Sequence, residues 1–276
     1  MATFPAGFSA DGGVGDAVAM SATGVKARPK WRDLVELAVG YGLILAVMWT
    51  PRPWQRWLYI AAILWIAAVT WVSWDGRRAM GLRWGGLLRS LWVVGAALAV
   101  AGVAILVASQ MNTLHRPPGA GLFVKSFWGY TLWSFVQQFL LQDFVLLRLL
   151  RLLPSKGAAV AAATGLFALG HLPSPILTAM TVVWGAAACW IFLRYRNLWT
   201  LGMAHAVLGV CVAIVVPGRV DHNMRVGLGY LRYHPRGMRH GAGPGNRLGN
   251  GVQRNQSDHR VSTDEWVIAD DPMRRS

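Results

Sequence analysis

Two histidines and three glutamines lie inside long apolar stretches, where polar side chains are energetically unfavourable. Gln137, Gln138 and Gln142 fall in one stretch, His171 ends the next, and His205 lies in the last. Histidine exchanges protons near neutral pH, and glutamine both donates and accepts hydrogen bonds. Polar groups buried in this way are functional candidates. The five side chains therefore predict one polar pocket that could position a peptide or a water molecule.

The spacing of these residues places each set on one helix face. Gln138 and Gln142 are four apart, with Gln137 beside them, and residues four apart are neighbours on a helix. The same spacing separates two further pairs, Phe167 with His171 and His205 with Gly209. Gly209 is expected to permit close backbone approach. Asp143 points away from Gln138 and is expected to face a cytoplasmic-side cavity or to pair with a loop arginine.

Each candidate also has a plainer explanation. Glutamine within a membrane helix often serves as a hydrogen bond between helices, and a lone histidine is as often a packing residue as a chemical one. The cysteines, Cys189 and Cys211, both lie in apolar stretches and are interpreted as small core residues. The combination is more informative than any single residue, because all the polar groups fall in the same half of the chain.

The composition indicates the environment in which the elements fold. The 276 residues are 54% hydrophobic and only 14% charged, and they include 15 Trp. Soluble domains carry about 25% charged residues. A soluble enzyme, a coiled coil and a disulfide-stapled domain are therefore excluded. The net charge of +15 lies in short clusters between apolar runs, which favours anchoring at anionic membrane surfaces over nucleic-acid binding.

Apolar runs recur along the chain at about the length that spans a bilayer, with Trp at their ends. The fold class predicted is an all-α, polytopic transmembrane helix bundle with about seven spans. The expected spans are 34–49, 58–74, 90–109, 126–147, 157–172, 175–193 and 198–216. Lys and Arg concentrate in the loops of one side, which places the N-terminus in the cytoplasm. The membrane is expected to be a bacterial inner membrane. The loop arginines are interpreted as topology signals.

Three regions are expected from the composition. Residues 1–30 form a disordered arm, 31–216 the transmembrane bundle with its core motifs at 125–216, and 217–276 a polar, largely disordered tail. Asp221 and His222, just after the last span, are interpreted as a solvated loop. The alternative is that they fold back over the pocket and supply a base or a charge.

The order of these motifs resembles the CAAX prenyl protease and bacteriocin-processing family of intramembrane proteases. That family carries Glu-Glu-x-x-x-Arg on one helix, Phe-x-x-x-His on the next and His-x-x-x-Asn on a later one. Gln137, Gln138 and Gln142 occupy the first motif, Phe167 and His171 match the second, and His205 with Gly209 falls at the third. The resemblance implies catalytic roles for His171, His205, Gln137 and Gln138, with Gln142, Gly209 and Phe167 in support.

The departures from the family pattern bear on activity. The resemblance implies that the first Glu activates water and that the Asn helps an oxyanion site, but this chain has Gln and Gly there. A glutamine amide cannot act as a general base, so only the histidines retain acid–base chemistry.

The expected function is cleavage of a membrane-embedded or lipid-anchored peptide or protein, with the lipid bilayer as the other partner. The alternatives are a silent pseudoprotease that binds membrane peptides and a small-solute transporter. No cofactor is expected. The alternative is a divalent metal, for which two histidines without a carboxylate or cysteine make a poor zinc site.

Overall fold

The described part of the protein is built from helices that follow the apolar runs. The computed structural model describes residues 28–233, and within them it contains no strand. A wide, π-helical segment, Leu140–Leu146, joins α4 to α5. The helices are α1 Lys30–Trp49, α2 Arg52–Val72, α3 Leu87–Gln110, α4 Ala120–Phe139, α5 Leu147–Leu152, α6 Lys156–Leu169, α7 Pro175–Tyr195, α8 Leu198–Val215, α9 Gly218–Asp221 and α10 Gly227–Leu231.

The prediction of a helical membrane bundle is confirmed. All seven expected spans coincide with helical segments, and α2, α3, α7 and α8 are long and apolar enough to cross a membrane. α6 is apolar but has only 14 residues, and the run 126–147 is divided between α4 and the π-helical segment. Many large apolar side chains face outward, among them Trp71 at 82% exposure. Such an outer surface suits lipid, and interfacial Trp is typical of membrane proteins.

The helix that carries His205 is held between two others. α8 packs along both α3 and α4, while α6 packs on α7 and α1 on α2. Two glycines of α8 receive aromatic rings of α4, with Phe135 lying against Gly202 and Tyr130 against Gly209. Small residues let membrane helices approach closely. The expectation for Gly209 is therefore modified, because the space beside it holds a tyrosine side chain and not a neighbouring backbone.

This packing predicts opposite effects for two glycine substitutions. A Cβ added at Gly202 would overlap the Phe135 ring, whereas a Cβ at Gly95 of α3 meets no atom within 4 Å. We expect Gly202→Ala to destabilise the bundle by about 1–3 kcal/mol through overpacking. Gly95→Ala is expected to stabilise it by about 0.5–1 kcal/mol through helix propensity. Thermal unfolding in detergent measures both, and equal shifts in the two variants would contradict the packing.

A buried ion-pair cluster fastens one end of the bundle. Arg148 donates to Glu36 through Nε at 3.1 Å and Nη2 at 2.8 Å, and its guanidinium lies 4.3 Å from the centre of the Phe144 ring. Arg32 and Ser73 donate to the same carboxylate at 3.0 Å. These contacts join α1 to the end of α2 and to the helix that follows the π-helical segment.

Arg151 completes the cluster beside Arg148. It donates to Asp33 through Nη2 at 2.7 Å and Nε at 2.8 Å, and to Asp75 through Nη1 at 3.0 Å. Arg148 and Arg151 are 2% and 5% exposed. The interpretation of the loop arginines as topology signals is therefore corrected for these two, because their guanidinium groups are buried against carboxylates. The signal for this role was the acidic pair Asp33 and Glu36 at the start of an apolar helix.

The region after the last expected span begins with a folded segment. Residues 217–233, here termed the return segment, fold against the bundle, and 234–276 and 1–27 lie outside the described residues. Gly227, at φ +56°, donates its N–H to the Leu172 carbonyl at 2.7 Å and lies against the Met48 carbonyl. The His222 ring stacks 3.9 Å from that of Tyr230. Aromatic packing stabilises this segment, although its polar composition predicted disorder.

Candidate functional site

The glutamines approach the histidines because α4 continues into the π-helical segment without a break. Gln137 and Gln138 lie in the last turn of α4, and Gln142 lies in the π-helical segment. Gln138 and Gln142 are fully buried, and Gln142 Nε2 donates to Gln138 Oε1 at 3.2 Å. Single wide turns of this kind often occur at functional sites. The expected sharing of a face by Gln138 and Gln142 is seen directly in this hydrogen bond.

His171 is held at the end of α6 by its own helix. Its Nδ1 lies 2.7 Å from the Phe167 carbonyl oxygen, which can only accept, so Nδ1 carries the hydrogen. In the neutral ring the lone pair then belongs to Nε2. That atom lies 3.5 Å from Gln137 Nε2. The backbone of α6 thus orients the basic nitrogen of His171 toward the glutamine helix.

His205 is oriented by a glutamine and has the opposite tautomer. Gln138 Nε2 donates to His205 Nδ1 at 2.9 Å, so Nδ1 holds the lone pair and the neutral ring carries its hydrogen on Nε2. His205 is 7% exposed. The two histidines consequently offer different groups, a hydrogen-bond acceptor at His171 Nε2 and a donor at His205 Nε2. Sequence spacing alone left this division of roles open.

One phenylalanine contacts both imidazoles. The Phe167 ring is 4.8 Å from the His171 ring and 6.1 Å from the His205 ring, in edge-on arrangements. Trp184 of α7 lies 5.9 Å from His205. Edge-on ring pairs are a favoured geometry. The residues predicted from three separate motifs therefore meet at one place, with Phe167 between the histidines and Trp184 as an unpredicted wall.

Several buried acceptors near the site keep free lone pairs. Gln137 Oε1 and Gln142 Oε1 are buried, and neither finds a hydrogen-bond partner within residues 28–233. Gln137 Oε1 belongs to the same amide that contacts His171. Buried polar groups without a protein partner are commonly met by water. An acceptor next to the basic nitrogen of His171 is therefore available to orient a water molecule.

Asp143 lies apart from this arrangement, as the helix geometry predicted. Both of its Oδ atoms are buried, and no described residue hydrogen-bonds to them. Arg196 Nη2 is likewise buried without a hydrogen-bond partner in the described part of the chain. No hydrogen bond joins Asp143 to the described glutamines or histidines of the site. Asp143 is therefore not part of the paired His–Gln arrangement.

The return segment does not bring a second base to the histidines through its hydrogen bonds. Asp221 Oδ1 accepts from the Asn223 N–H at 3.0 Å, and His222 Nδ1 contacts the Tyr230 carbonyl at 3.1 Å. The segment approaches the site instead through Gly227, which binds the carbonyl next to His171. Asp221 and His222 therefore neither form a solvated loop nor hydrogen-bond to the site histidines. They belong to an internally packed segment that contacts the residues after α6.

Side chains that bind metals do not cluster in the described part of the chain. Within residues 28–233 no group of three or more His, Cys, Asp or Glu side chains has the arrangement of a metal site. The side chains paired at the site are two imidazoles and two amides, and amides are weak ligands for the metals that imidazole binds. Cys189 and Cys211 are free and buried.

The tautomer of His205 provides a direct test of the hydrogen-bond assignment. In Gln138→Glu the side chain can only accept when ionised, so we expect the His205 hydrogen to move from Nε2 to Nδ1. Imidazole ¹⁵N NMR of selectively labelled protein distinguishes the two nitrogens. The control is Gln137→Leu, which keeps the Gln138 amide and its hydrogen bond from Gln142 and should leave the hydrogen on Nε2. An unchanged spectrum in Gln138→Glu would contradict the assignment.

The structure defines a class of protein, a helical membrane bundle with a buried site of paired histidines and amides. One comparison with known proteins gives a match. Residues 120–211 match one family model, described as type II CAAX prenyl endopeptidase Rce1-like. This stretch, about a third of the chain, is therefore similar to a family of membrane proteases, and the four long apolar helices are consistent with an integral membrane protein. Among curated proteins and among solved structures, nothing matches the chain.

Proposed function

We propose that this protein is an intramembrane endopeptidase that hydrolyses a peptide bond in a membrane-embedded or lipid-anchored peptide or protein. The observation that supports this most directly is the opposite tautomers of the two histidines. His171 Nε2 can accept a proton, and His205 Nε2 can donate a hydrogen bond. Peptide hydrolysis needs both, a base for water and a donor for the oxygen that gains charge.

The proposed reaction uses groups that the site already holds. A water molecule replaces the Gln137 Nε2–H, 3.5 Å away, at the lone pair of His171 Nε2, donates one hydrogen to that nitrogen and donates the other to the buried Gln137 Oε1. His171 takes the first proton as the water oxygen bonds to the carbonyl carbon, and the carbonyl electron pair moves to its oxygen. The His205 Nε2–H stabilises that oxygen. When the C–N bond breaks, the proton returns from His171 to the leaving nitrogen, which yields a carboxyl group and an amine.

Terminus mapping in the native host tests this proposal. Membrane-protein termini are compared among strains with the intact gene, a deletion, and His171→Ala combined with His205→Ala. Cleaved termini that appear only with the intact gene support the proposal. Identical termini in all three strains contradict it.

We propose a bacterial inner membrane with a cytoplasmic N-terminus as the location of the protein. A reporter fused at residue 1 tests the orientation by its accessibility in intact cells.

A catalytically silent protein that binds membrane peptides is the second candidate. The observation that favours it is that the side chains hydrogen-bonded to His171 and His205 within the described residues are amides and not carboxylates. Such a protein would bind a substrate-like peptide but leave it intact. Gln138→Glu then becomes informative, because gain of cleavage in that variant would show that the wild-type site lacks only a carboxylate.

A further inference from the structure

The tyrosine of α4 that lies against Gly209 is the strongest unassigned feature near the site. A Cβ built on Gly209 would overlap the Tyr130 hydroxyl and the ring carbon that bears it. The hydroxyl therefore occupies the place where any side chain at position 209 would begin. The Tyr130 residue is partly exposed, and its hydroxyl has the Ser134 side chain of the same helix as a hydrogen-bonding neighbour.

Tyr130 lies about two helical turns from the site glutamines on α4 and contacts α8 one turn after His205. It precedes Gln137 and Gln138 by seven and eight residues, which is two helical turns along the same face of α4. Its contact on α8, Gly209, lies one turn after His205. Tyr130 thus lies on the same side of α4 as the glutamines and contacts α8 one turn after the histidine, where the two helices pack together.

We propose that the Tyr130 hydroxyl donates a hydrogen bond to the carbonyl oxygen of the bound peptide. A phenol is one of the donors that can stabilise the charge developing on a carbonyl oxygen. Gly209 leaves its own side-chain position empty, and the glycine is what admits the hydroxyl to this place. Tyr130 and the Nε2–H of His205 would then form a pair of donors, with His171 delivering water to the same carbonyl. This assignment rests on the proposed peptide hydrolysis.

The test measures cleavage and hydroxyl contact separately. The probe is a quenched fluorescent peptide that ends in a farnesylated Cys-aliphatic-aliphatic-Ser sequence, added to the full chain in lipid nanodiscs, with the unfarnesylated peptide alongside. We expect Tyr130→Phe to lower kcat by about 10²–10³-fold with KM within a factor of three, since one oxyanion donor is removed. The matched control is Tyr59→Phe on α2, which should cleave like wild type. In parallel, 3-fluorotyrosine at position 130 reports its environment by ¹⁹F NMR.

The outcomes separate this proposal from the proposed function. Cleavage by Tyr130→Phe at the wild-type rate overturns the role of Tyr130 and leaves the protease proposal intact. No cleavage by wild type, with a ¹⁹F signal that shifts on adding either peptide, overturns hydrolysis of these peptides but supports the contact to Tyr130. No cleavage and no shift with either peptide overturns both. A fall in kcat accompanied by a ¹⁹F shift in the labelled wild type supports both.

Discussion

Replacing His171 by alanine is expected to lower peptide cleavage by about 10²–10⁴-fold, the usual contribution of a positioned general base. The reason is geometric, because the Phe167 carbonyl holds the hydrogen of His171 on Nδ1 and leaves Nε2 as the acceptor. The substitution removes a partly exposed ring whose bond to Phe167 is local to one helix, so the fold should persist. The measurement is kcat for the farnesylated and unfarnesylated fluorescent peptides in nanodiscs.

The matched control for His171 is another histidine with a backbone contact. His115 Nδ1 lies 3.1 Å from the Thr113 carbonyl, away from the glutamines in sequence and outside the proposed chemistry. His115→Ala should retain cleavage near the wild-type rate. If His171→Ala also cleaves at that rate while remaining folded, then His171 is not the base and the proposed division of roles between the histidines fails.

The second large effect is expected on stability, at Arg148. Removing one partner of a buried ion pair leaves an unpaired buried charge and typically destabilises a protein by about 3–5 kcal/mol. Arg148→Ala would remove the only buried guanidinium that contacts the Glu36 carboxylate in the described residues. This 5% exposed group would be left with Ser73 and the more exposed Arg32, so we expect the lower end of that range. We therefore expect a large fall in thermal stability in detergent, together with looser attachment of α1 to the rest of the bundle.

Two further variants show whether the loss comes from the stranded charge. Arg89→Ala removes an exposed arginine at the start of α3 and should change stability by less than about 0.5 kcal/mol, as surface substitutions usually do. Combining Arg148→Met with Glu36→Gln removes both charges, and we expect it to recover part of the stability lost in Arg148→Ala. An Arg148→Ala variant as stable as Arg89→Ala would show that the pair does not fasten the helices.

The helical membrane bundle and the similarity to the protease family followed from the sequence alone. A continuous apolar run has few stable structures in lipid, because its backbone must satisfy its own hydrogen bonds within each helix. The positions of the seven helical segments were therefore predictable from local composition. The order of the Gln, Phe-His and His-Gly motifs was equally readable, since it depends only on position along the chain.

Two features needed the tertiary structure, and both depend on contacts between residues distant in sequence. The sequence predicts that Arg148 is a loop charge, whereas in the structure its guanidinium donates to Glu36, 112 residues away. Tyr130 gave no signal in the sequence, because only the packing of α4 on α8 brings its hydroxyl to Gly209.

The sequence by itself determined that His171 and His205 were the only acid–base groups among the three motifs. Only the tertiary structure decided which nitrogen of each ring carries the hydrogen. That choice depends on the atom opposite Nδ1, a backbone carbonyl for His171 and the Gln138 amide for His205. A carbonyl can only accept a hydrogen bond and an N–H can only donate one. The two histidines therefore have opposite tautomers, with a lone pair at His171 Nε2 and a hydrogen at His205 Nε2.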